Sequence, residues 1–258
     1  MHLRTVARDC LYVNWAVPVE CAPALPTPLR YEEHAWQDRS WVIATALLFR
    51  FSGLHPEGVP WPRLSYPQMS LRLYVLDGDD IASVLFVRML VPLWVVPMAR
   101  VLGRQPAAAG RFDFPPAGPG VDPTDHLAER TWQLERNGRL RITARPSSPA
   151  PGPGPDFGNW RRTVDHVRLR SRGYVLLDGG VRRVRRRQPP IEAAPMAAEV
   201  EAADLLEATF RGVPSEHWTR PHSAWLCPEI PVTFELGERQ LLPMGSARRG
   251  MEPVTDGC

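Results

Sequence analysis

The sequence contains no lysine, because all 31 of its Lys and Arg residues are arginine. Arginine stays protonated at physiological pH and cannot replace lysine as an amine nucleophile. No side chain of this protein can therefore form an imine with a carbonyl compound. This excludes every enzyme class whose chemistry depends on a lysine Schiff base.

Cysteine is scarce, and the few cysteines show no C-x-x-C pair. This pattern excludes the common zinc motifs and indicates a cytoplasmic protein with reduced thiols. His217, His222 and Cys227 are each five residues apart, which is not a usual zinc spacing. We therefore predict neither a metal nor another cofactor. The four cysteines are Cys10, Cys21, Cys227 and Cys258.

Long uninterrupted hydrophobic runs are also missing. The best candidate for a membrane span, residues 81–98, contains Arg88 and two prolines. A central arginine costs about 2.5–3.5 kcal/mol on membrane-insertion scales, so we reject a span here. Residues 1–26 lack a charged region followed by an apolar core, so no signal peptide is expected.

The remaining composition favours one domain that is mainly β. The chain has 258 residues, 44% of them hydrophobic, with 29 prolines and 19 glycines, which suits many turns better than long helices. We predict a single domain over residues 1–240 and a flexible tail over 241–258. Residues 105–123 and 145–158 are Pro/Gly-rich and are expected to form long loops, the second of them mobile. The sequence does not indicate a role for either loop.

Residues 66–104 are the most informative stretch. Residues 68–76 alternate, so that Gln68, Arg72 and Tyr74 share one face of a strand. The following D-G-D-D sequence is a hairpin turn signal, and a symmetric turn would pair Tyr74 with Ser83 and Arg72 with Leu85. The polar face would then continue into an apolar row, which predicts an enclosed, partly apolar space. An ordinary two-sided sheet with a few exposed apolar residues is the alternative.

Further elements follow from periodicity and turn signals. Residues 40–50 predict a strand, and residues 131–144 a hairpin around Asn137-Gly138. Residues 89–102 fit a bent helix, and residues 196–211 have the strongest helical pattern in the chain. The arginine-rich run Val181 to Arg187 predicts an edge strand.

Three segments carry a family resemblance. The first contains Arg72 and Tyr74 in an R-x-Y-V strand and ends at Ala99-Arg100. The second places Arg170 and Tyr174 in register, although His166 departs from the family pattern. The third spans residues 221–232. Together they resemble the YqjF-like family, a branch of the acetoacetate-decarboxylase-like superfamily.

The resemblance implies a fold that is mainly β (α+β): an antiparallel, cone-like β-barrel with a few flanking helices and an internal small-molecule pocket. The reactive lysine of the superfamily would fall within residues 92–99, where this chain has Leu93, Trp94, Val95 and Val96. The decarboxylase mechanism therefore does not carry over. Gln68 also stands where the family often has an acidic residue, and it cannot act as a general base.

The candidate site combines these observations. A buried guanidinium needs a partner, either a carboxylate such as Glu32, Glu33 or Glu135, or an anionic ligand bound in two-point contact. Both alternatives stay open for each arginine. Because Asp165-His166 offers half of an acid/base pair, His166 joins the candidates. The predicted catalytic residues are Arg72, Tyr74 and His166, and the predicted substrate-binding residues are Gln68, Leu85, Arg88, Trp94, Arg100, Arg170 and Tyr174.

Three functions are compatible with the sequence. The favoured one is an enzyme that cyclises, dehydrates or decarboxylates a small organic acid or ketide-like molecule without an imine. The second is a ligand-binding barrel without turnover. The third is a polyanion or nucleic-acid binder that uses residues 181–187, although the net charge of only +3 does not require such a partner. A homo-oligomer is compatible with the sequence, which does not determine the substrate.

Overall fold

A computed structural model describes residues 2–58, 63–101, 107–115, 128–148, 152–168, 170–177, 180–187, 189, 192–235 and 241–243. The strands are β1 (His2–Pro18), β2 (Arg30–Tyr31), β3 (His34–Trp36), β4 (Arg39–Pro56), β5 (Leu64–Leu76), β6 (Ala82–Val91), β7 (Ala107–Ala109), β8 (Arg111–Asp113), β9 (Arg130–Glu135), β10 (Arg139–Pro146), β11 (Arg172–Leu177), β12 (Gly180–Arg187), β13 (Ala194–Ala203), β14 (Ser223–Glu235) and β15 (Leu241–Pro243). The helices are α1 (Val96–Val101), α2 (Trp160–Arg168), α3 (Asp204–Glu207) and α4 (Ser215–Trp218), with short 3₁₀ turns at Val19–Cys21 and Leu93–Val95.

Seven strands form a closed ring in the order β12, β11, β6, β5, β4, β1 and β14, because β14 pairs back onto β12. The predicted β-rich fold is confirmed, but the sheet is mixed rather than strictly antiparallel. Strand β11 runs parallel to β6, and β7 also runs parallel to β6. A parallel pair requires a long crossover, which the chain between β6 and β11 provides.

The ring strands bury both of their faces. One face, here called the helix-covered face, packs Tyr12, Ile43 and Trp225 against Val164 and Val167 of helix α2. The opposite face packs on strands β9, β10 and β13. Because successive side chains of a strand point to opposite faces, the same strands supply both layers. The faces differ in chemistry, since the helix-covered face also carries a set of buried polar residues.

The hairpin between β5 and β6 differs from the predicted one by one residue. Its loop spans five residues, 77–81, rather than four, and the Asp77 amide donates to the Ile81 carbonyl at 3.2 Å. Tyr74 therefore pairs with Val84, and Arg72 pairs with Phe86. A shift of one residue turns every side chain of the partner strand to the other face. The predicted pairings of Tyr74 with Ser83 and of Arg72 with Leu85 are thus wrong.

The predicted helix at 196–211 is also wrong. Strand β13 occupies the first half of this segment, and only the four residues of α3 are helical. Strand β13 pairs with both β10 and β14, which buries Met196 and Val200 and leaves Glu199 and Glu201 exposed. The helix preference of an alanine-rich segment amounts to less than about 1 kcal/mol per residue, so pairing with β10 along 196–203 and with β14 at 194–196 outweighs it.

The structure tests three other predictions of secondary structure. The hairpin around Asn137-Gly138 is confirmed by the pairing of β9 with β10. Strand β12 is not an edge strand, because it pairs with β11 on one side and with β14 and β15 on the other. Residues 89–91 complete β6, so the predicted bent helix is reduced to a 3₁₀ turn and α1.

Of the predicted tail, residues 241–243 form β15, and residues 244–258 lie outside the described part of the chain. Within the described ranges, no helix has the length and apolar character needed to cross a membrane.

Candidate functional site

A row of polar side chains crosses the helix-covered face in strand register. Ser223 of β14 lies opposite Asn14 of β1, which lies opposite Thr45 of β4. Thr45 in turn lies opposite Arg72 of β5. All four side chains are buried, with at most 5% of each residue exposed. Buried polar groups require hydrogen-bond partners, so this row requires matching donors and acceptors on the same face.

A chain of hydrogen bonds links the row to Tyr74. Thr45 Oγ1 donates to Asn14 Oδ1 at 2.6 Å. The Tyr74 hydroxyl lies 2.9 Å from the same Thr45 oxygen. Because threonine has a single hydroxyl proton, which goes to Asn14, Tyr74 is the donor in the second bond. Asn14 Nδ2 donates onward to the Ser223 hydroxyl at 3.2 Å and to its carbonyl at 3.0 Å.

The chain of bonds ends at His222 in a fixed direction. His222 Nε2 lies 2.9 Å from the Pro155 carbonyl, which can only accept. Burial lowers the pKa of His222, so the ring is neutral and carries its one proton on Nε2. His222 Nδ1 consequently accepts from the Ser223 hydroxyl at 3.1 Å. Every donor from Tyr74 to His222 therefore points the same way along the row.

Helix α2 and the residues after it place a second group of side chains over Tyr74. The Arg170 guanidinium donates to Glu32 at 2.8 Å and to His166 Nδ1 at 3.2 Å. Its central carbon lies 5.6 Å from the centre of the Tyr74 ring. Burial raises the pKa of Glu32, while the charge of Arg170 opposes that rise. For Arg170, the carboxylate alternative considered from sequence is thus realised by Glu32.

His166 is held as a neutral hydrogen-bond donor. Burial, helped by the positive charge of Arg170, lowers its pKa to about 2. Since a guanidinium only donates, His166 Nδ1 accepts from Arg170, and the ring proton sits on Nε2. That Nε2 atom is buried and has no hydrogen-bond partner among the described residues.

Aromatic rings surround His166. The ring centres of His34 and Phe157 lie 4.8 and 4.6 Å from it, and that of Tyr74 lies 5.5 Å away. Phe157 belongs to the Pro/Gly-rich segment 152–158, whose backbone bonds to His222. A β-carbon added at Gly154 would come within 2.8 Å of the His222 ring, so this segment packs closely against the site. Low sequence complexity predicted mobility here, whereas residues 152–158 are packed.

Arg72 has a different environment from Arg170. Its Nε donates to Ser70 at 2.9 Å, and its guanidinium lies 5.1 Å from the centre of the Phe86 ring. Only 4% of the residue is exposed, yet Nη1 is buried without a hydrogen-bond partner in the described ranges. The described residues also place no carboxylate within 4.0 Å of Arg72. For Arg72, the anionic-ligand alternative considered from sequence therefore stays open.

Gly173 creates the space for this arrangement. A β-carbon at Gly173 would lie 2.7 Å from Cε2 of Phe86. Only glycine lets β11 approach β6 while the Phe86 ring remains under Arg72. Gly173 is consequently part of the support of the site, which the sequence analysis did not identify.

The structure brings together five of the predicted site residues and separates the other five. Those that share the helix-covered face and its covering segment are Gln68, Arg72, Tyr74, His166 and Arg170. The others lie away from it: Leu85, Tyr174, Arg88, Trp94 and Arg100.

Leu85 and Tyr174 pack together on the opposite face. Tyr174 donates to Asp77 at 3.0 Å, and burial raises the pKa of Tyr174 to about 12. Arg88 is half-buried, and desolvation together with the nearby charge of Arg136 lowers its pKa. These three side chains therefore do not share the surroundings of Tyr74 and His166.

Trp94 lies in the 3₁₀ turn Leu93–Val95 and Arg100 lies in helix α1, both after strand β6. Trp94 is 57% exposed, and its neighbour Leu93 is 74% exposed. Arg100 is exposed and donates to the Ala107 carbonyl at 3.1 Å. No described residue of this segment directs a nucleophile at the polar row.

Sequence reasoning missed the residues that complete the site. The signal for Asn14 and Thr45 was a single polar residue at the centre of a buried apolar strand. Glu32 was considered only as a partner for arginine, and His222 only as a metal ligand. Within the described ranges, no group of three His, Cys, Asp or Glu residues lies close enough to hold a metal ion. The missed residues are Asn14, Glu32, His34, Thr45, Phe157, Gly173, His222 and Ser223.

The ring of strands and the helix that covers one face define the class of fold, which solved structures share. An acetoacetate decarboxylase-like enzyme from Sphingomonas wittichii RW1 is similar with a TM-score of 0.59 and 14% identity, over 94% of this chain and 93% of that one. The enduracididine biosynthesis enzyme MppR, complexed with the condensation product of pyruvate and imidazole 4-carboxaldehyde, is similar with a TM-score of 0.58 and 13% identity, over 94% and 90% of the two chains. This protein therefore has the acetoacetate-decarboxylase-like fold.

The family follows from the sequence match. The profile of the DUF2071 family, described as an uncharacterized conserved protein, matches residues 4–230. The chain belongs to the DUF2071 family, which confirms the resemblance stated from its motifs. No protein with a curated description matches it.

Proposed function

We propose that the site on the helix-covered face binds a small organic acid or ketide-like molecule and converts it without an imine. The observation that carries this proposal is a pair of buried N–H donors without acceptors in the described part of the chain. They are Arg72 Nη1 and His166 Nε2. Leaving a buried donor unsatisfied costs about 1–3 kcal/mol, and more when the group is charged. A ligand rich in oxygen acceptors would satisfy both.

The two donors suit different parts of such a ligand. Arg72 is charged and planar, so it fits a carboxylate or another oxyanion. His166 is neutral and donates from Nε2, so it would polarise a carbonyl or stabilise an enolate oxygen rather than remove a proton. Tyr74 shares a strand face with Arg72, its ring centre lies 5.5 Å from that of His166, and its hydroxyl is oriented by Thr45. This arrangement supports cyclisation, dehydration or a decarboxylation in which the ligand's own carbonyl accepts the electrons.

The absence of lysine from the sequence restricts the mechanism further. A solved structure of MppR, which is 13% identical to this chain, is complexed with pyruvate. A keto acid is a reasonable first ligand to test here, but any reaction must proceed without a lysine imine, and the N-terminus is the one amine left. Borohydride reduction in the presence of a keto acid should therefore leave the mass of every internal peptide unchanged.

A binding protein without turnover is the second candidate. The observation that favours it is the state of the ionisable groups around Tyr74. His166 is held neutral by its low pKa, and Glu32 is already engaged by Arg170. Neither group is therefore placed as an uncommitted general base. Binding would then be saturable, and the ligand would be recovered unchanged.

One experiment tests both candidates. The purified protein is titrated with a panel of 2-keto and 3-keto acids by calorimetry, and each mixture is followed by NMR for consumption. We expect saturable binding of at least one acid, weakened at least 30-fold in Arg72→Met, since a charged buried hydrogen bond contributes about 2–5 kcal/mol. His166→Phe should weaken binding by about 2- to 13-fold, since a neutral hydrogen bond contributes about 0.5–1.5 kcal/mol. Arg100→Met, which changes an exposed arginine, is the matched control. Consumption supports the enzyme, and binding without consumption supports the binding protein. Unchanged affinity in Arg72→Met would remove the site assignment.

The polyanion alternative rests on strand β12. Arg187 of this strand forms an ion pair of 2.8 Å with Glu235, and the strand lies within the sheet rather than at its edge. These observations do not favour a nucleic-acid groove. Retention on heparin across a salt series provides the test, because binding through several phosphates or sulfates falls steeply with salt.

A further inference from the structure

Two cysteines that lie far apart in the sequence face each other across one pair of strands. Cys10 of β1 and Cys227 of β14 are direct partners in the antiparallel register. Both are completely buried on the helix-covered face and hold thiols rather than a disulfide. Directly opposed residues of antiparallel strands have their Cα atoms about 4.5–5.5 Å apart, which lies within the range of about 4.4–6.8 Å found in disulfides.

The sheet is irregular beside this cysteine pair. Asp9, next to Cys10, has a φ of 50°, in the left-handed region that non-glycine residues rarely adopt. The register between β1 and β4 shifts between Arg8 and Leu11, which marks a bulge. On the other strand, Pro228 follows Cys227 and has no amide hydrogen to donate. The bulge interrupts the pairing of β1 with β4 beside Cys10, and Pro228 donates no amide hydrogen beside Cys227, so we infer that local opening can begin here.

From this juxtaposition we propose that Cys10 and Cys227 are a redox modification site that a peroxide converts into a cross-strand disulfide. During local opening, one thiolate attacks a peroxide oxygen, the O–O bond breaks, and a sulfenic acid and water form. The opposing sulfur then attacks the sulfenic sulfur, the S–S bond forms, and the hydroxyl leaves with the thiol proton as a second water. The two sulfurs lose two electrons in total, and one peroxide is reduced to two waters.

The disulfide joins the two strands that carry part of the polar row. Asn14 and Ser223 are opposed in the same strand pair, four residues along from the cysteines. A disulfide between β1 and β14 would keep Asn14 opposite Ser223 when these strands separate locally. The other described cysteine does not compete, because Cys21 lies in the cluster on the opposite face.

The test uses the full chain treated with hydrogen peroxide and then unfolded for thiol titration. We expect the four thiols of the chain to fall to two, with an intact mass lower by about 2 Da. Cys21→Ala should fall from three thiols to one. Cys10→Ala and Cys227→Ala should each lack the loss of about 2 Da at the same peroxide dose, because the remaining cysteine of the pair can form at most a sulfenic acid, which adds about 16 Da. Far-UV circular dichroism checks that each variant folds, and either of the last two variants is sufficient if the other does not fold.

Peptide mapping identifies the bond. Trypsin leaves Cys10 and Cys21 on one peptide, because no arginine lies between them, so a second cleavage after Tyr12 or Trp15 is needed to separate them. A Cys10–Cys227 link should appear in the oxidised monomer, which should also unfold at a higher temperature than the reduced protein. A Cys10–Cys21 link, an intermolecular link only, or four thiols persisting up to the temperature at which unfolding begins would each overturn the proposal.

Discussion

Arg72 and Arg170 predict opposite effects of the same substitution on stability. Both guanidiniums are buried near Tyr74, but Arg170 forms an ion pair of 2.8 Å with Glu32, whereas Arg72 has no carboxylate within reach in the described ranges. Removing one partner of a buried ion pair leaves an uncompensated charge. Removing a buried charge that has no counter-charge relieves its desolvation cost.

The magnitudes follow from the contacts. Breaking a fully buried ion pair costs about 3–5 kcal/mol, and the partial exposure of Glu32 reduces this to about 2–3 kcal/mol for Arg170→Met. For Arg72→Met, relief of desolvation is worth about 1–4 kcal/mol, and loss of the contact with Phe86 costs about 2 kcal/mol. We therefore expect Arg72→Met to retain the wild-type stability within about 1 kcal/mol, or to exceed it.

Urea unfolding without ligand measures the free energy of unfolding of both variants. Thermal unfolding measures their melting temperatures. At about 2–4 °C per kcal/mol for a chain of this size, the melting temperature should fall by about 5–10 °C in Arg170→Met and change little in Arg72→Met. Arg100→Met, on the surface, should stay within about 0.5 kcal/mol of wild type. If Arg72→Met is destabilised as strongly as Arg170→Met, then Arg72 has a structural counter-charge, and its assignment to a ligand is wrong.

Three further predictions concern the support of the site. In Gly173→Ala, the added methyl group contacts the Phe86 ring, so the free energy of unfolding measured in urea should fall by about 1–3 kcal/mol. The double variant Gly173→Ala/Phe86→Leu should recover most of this loss. An unaffected single variant would contradict the packing argument. Thr45→Val leaves two buried polar partners unsatisfied and should lower the free energy of unfolding by about 2–3 kcal/mol. Thr143→Val, which removes one hydroxyl of a partly buried pair between β9 and β10, should lower it by less than half as much. Equal losses would contradict the proposed importance of the hydrogen-bond chain. Burial lowers the pKa of His166 to about 2, so near pH 6.5 the unfolded chain takes up a proton that the folded chain does not, and the free energy of unfolding should fall by up to about 1.4 kcal/mol per pH unit below pH 6.5. His166→Gln should show a shallower decline from pH 6.5 to 5. An identical slope would show that His166 is not buried as a neutral ring.

Local features of the fold followed from short-range patterns. The alternation over residues 68–76 depends only on the geometry of a strand, and it correctly placed Arg72 and Tyr74 on one face. The Asn137-Gly138 turn depends on the left-handed conformations that these two residues adopt at φ values of 47° and 139°. Neither feature requires knowledge of a distant part of the chain.

Register and context did not follow in the same way. One additional residue in the loop at 77–81 moved Leu85 to the opposite face, because a strand alternates with every residue. The segment 196–203 kept its alanine-rich, helix-like composition and still became a strand, because it pairs along its length with β10, while residues 194–196 pair with β14. Tertiary pairing outweighed local preference in both cases.

The sequence by itself determined that the protein has no amine side chain for imine chemistry, that it is β-rich, and that Arg72 and Tyr74 share a face, since these depend on composition and on neighbouring residues. Only the tertiary structure decided which groups surround Tyr74. The side-chain bond from Asn14 to Ser223 joins residues 209 positions apart, and that from Arg170 to Glu32 joins residues 138 positions apart. Such contacts arise from closure of the ring of strands, and the chemistry of a buried side chain depends on the partners which that closure provides.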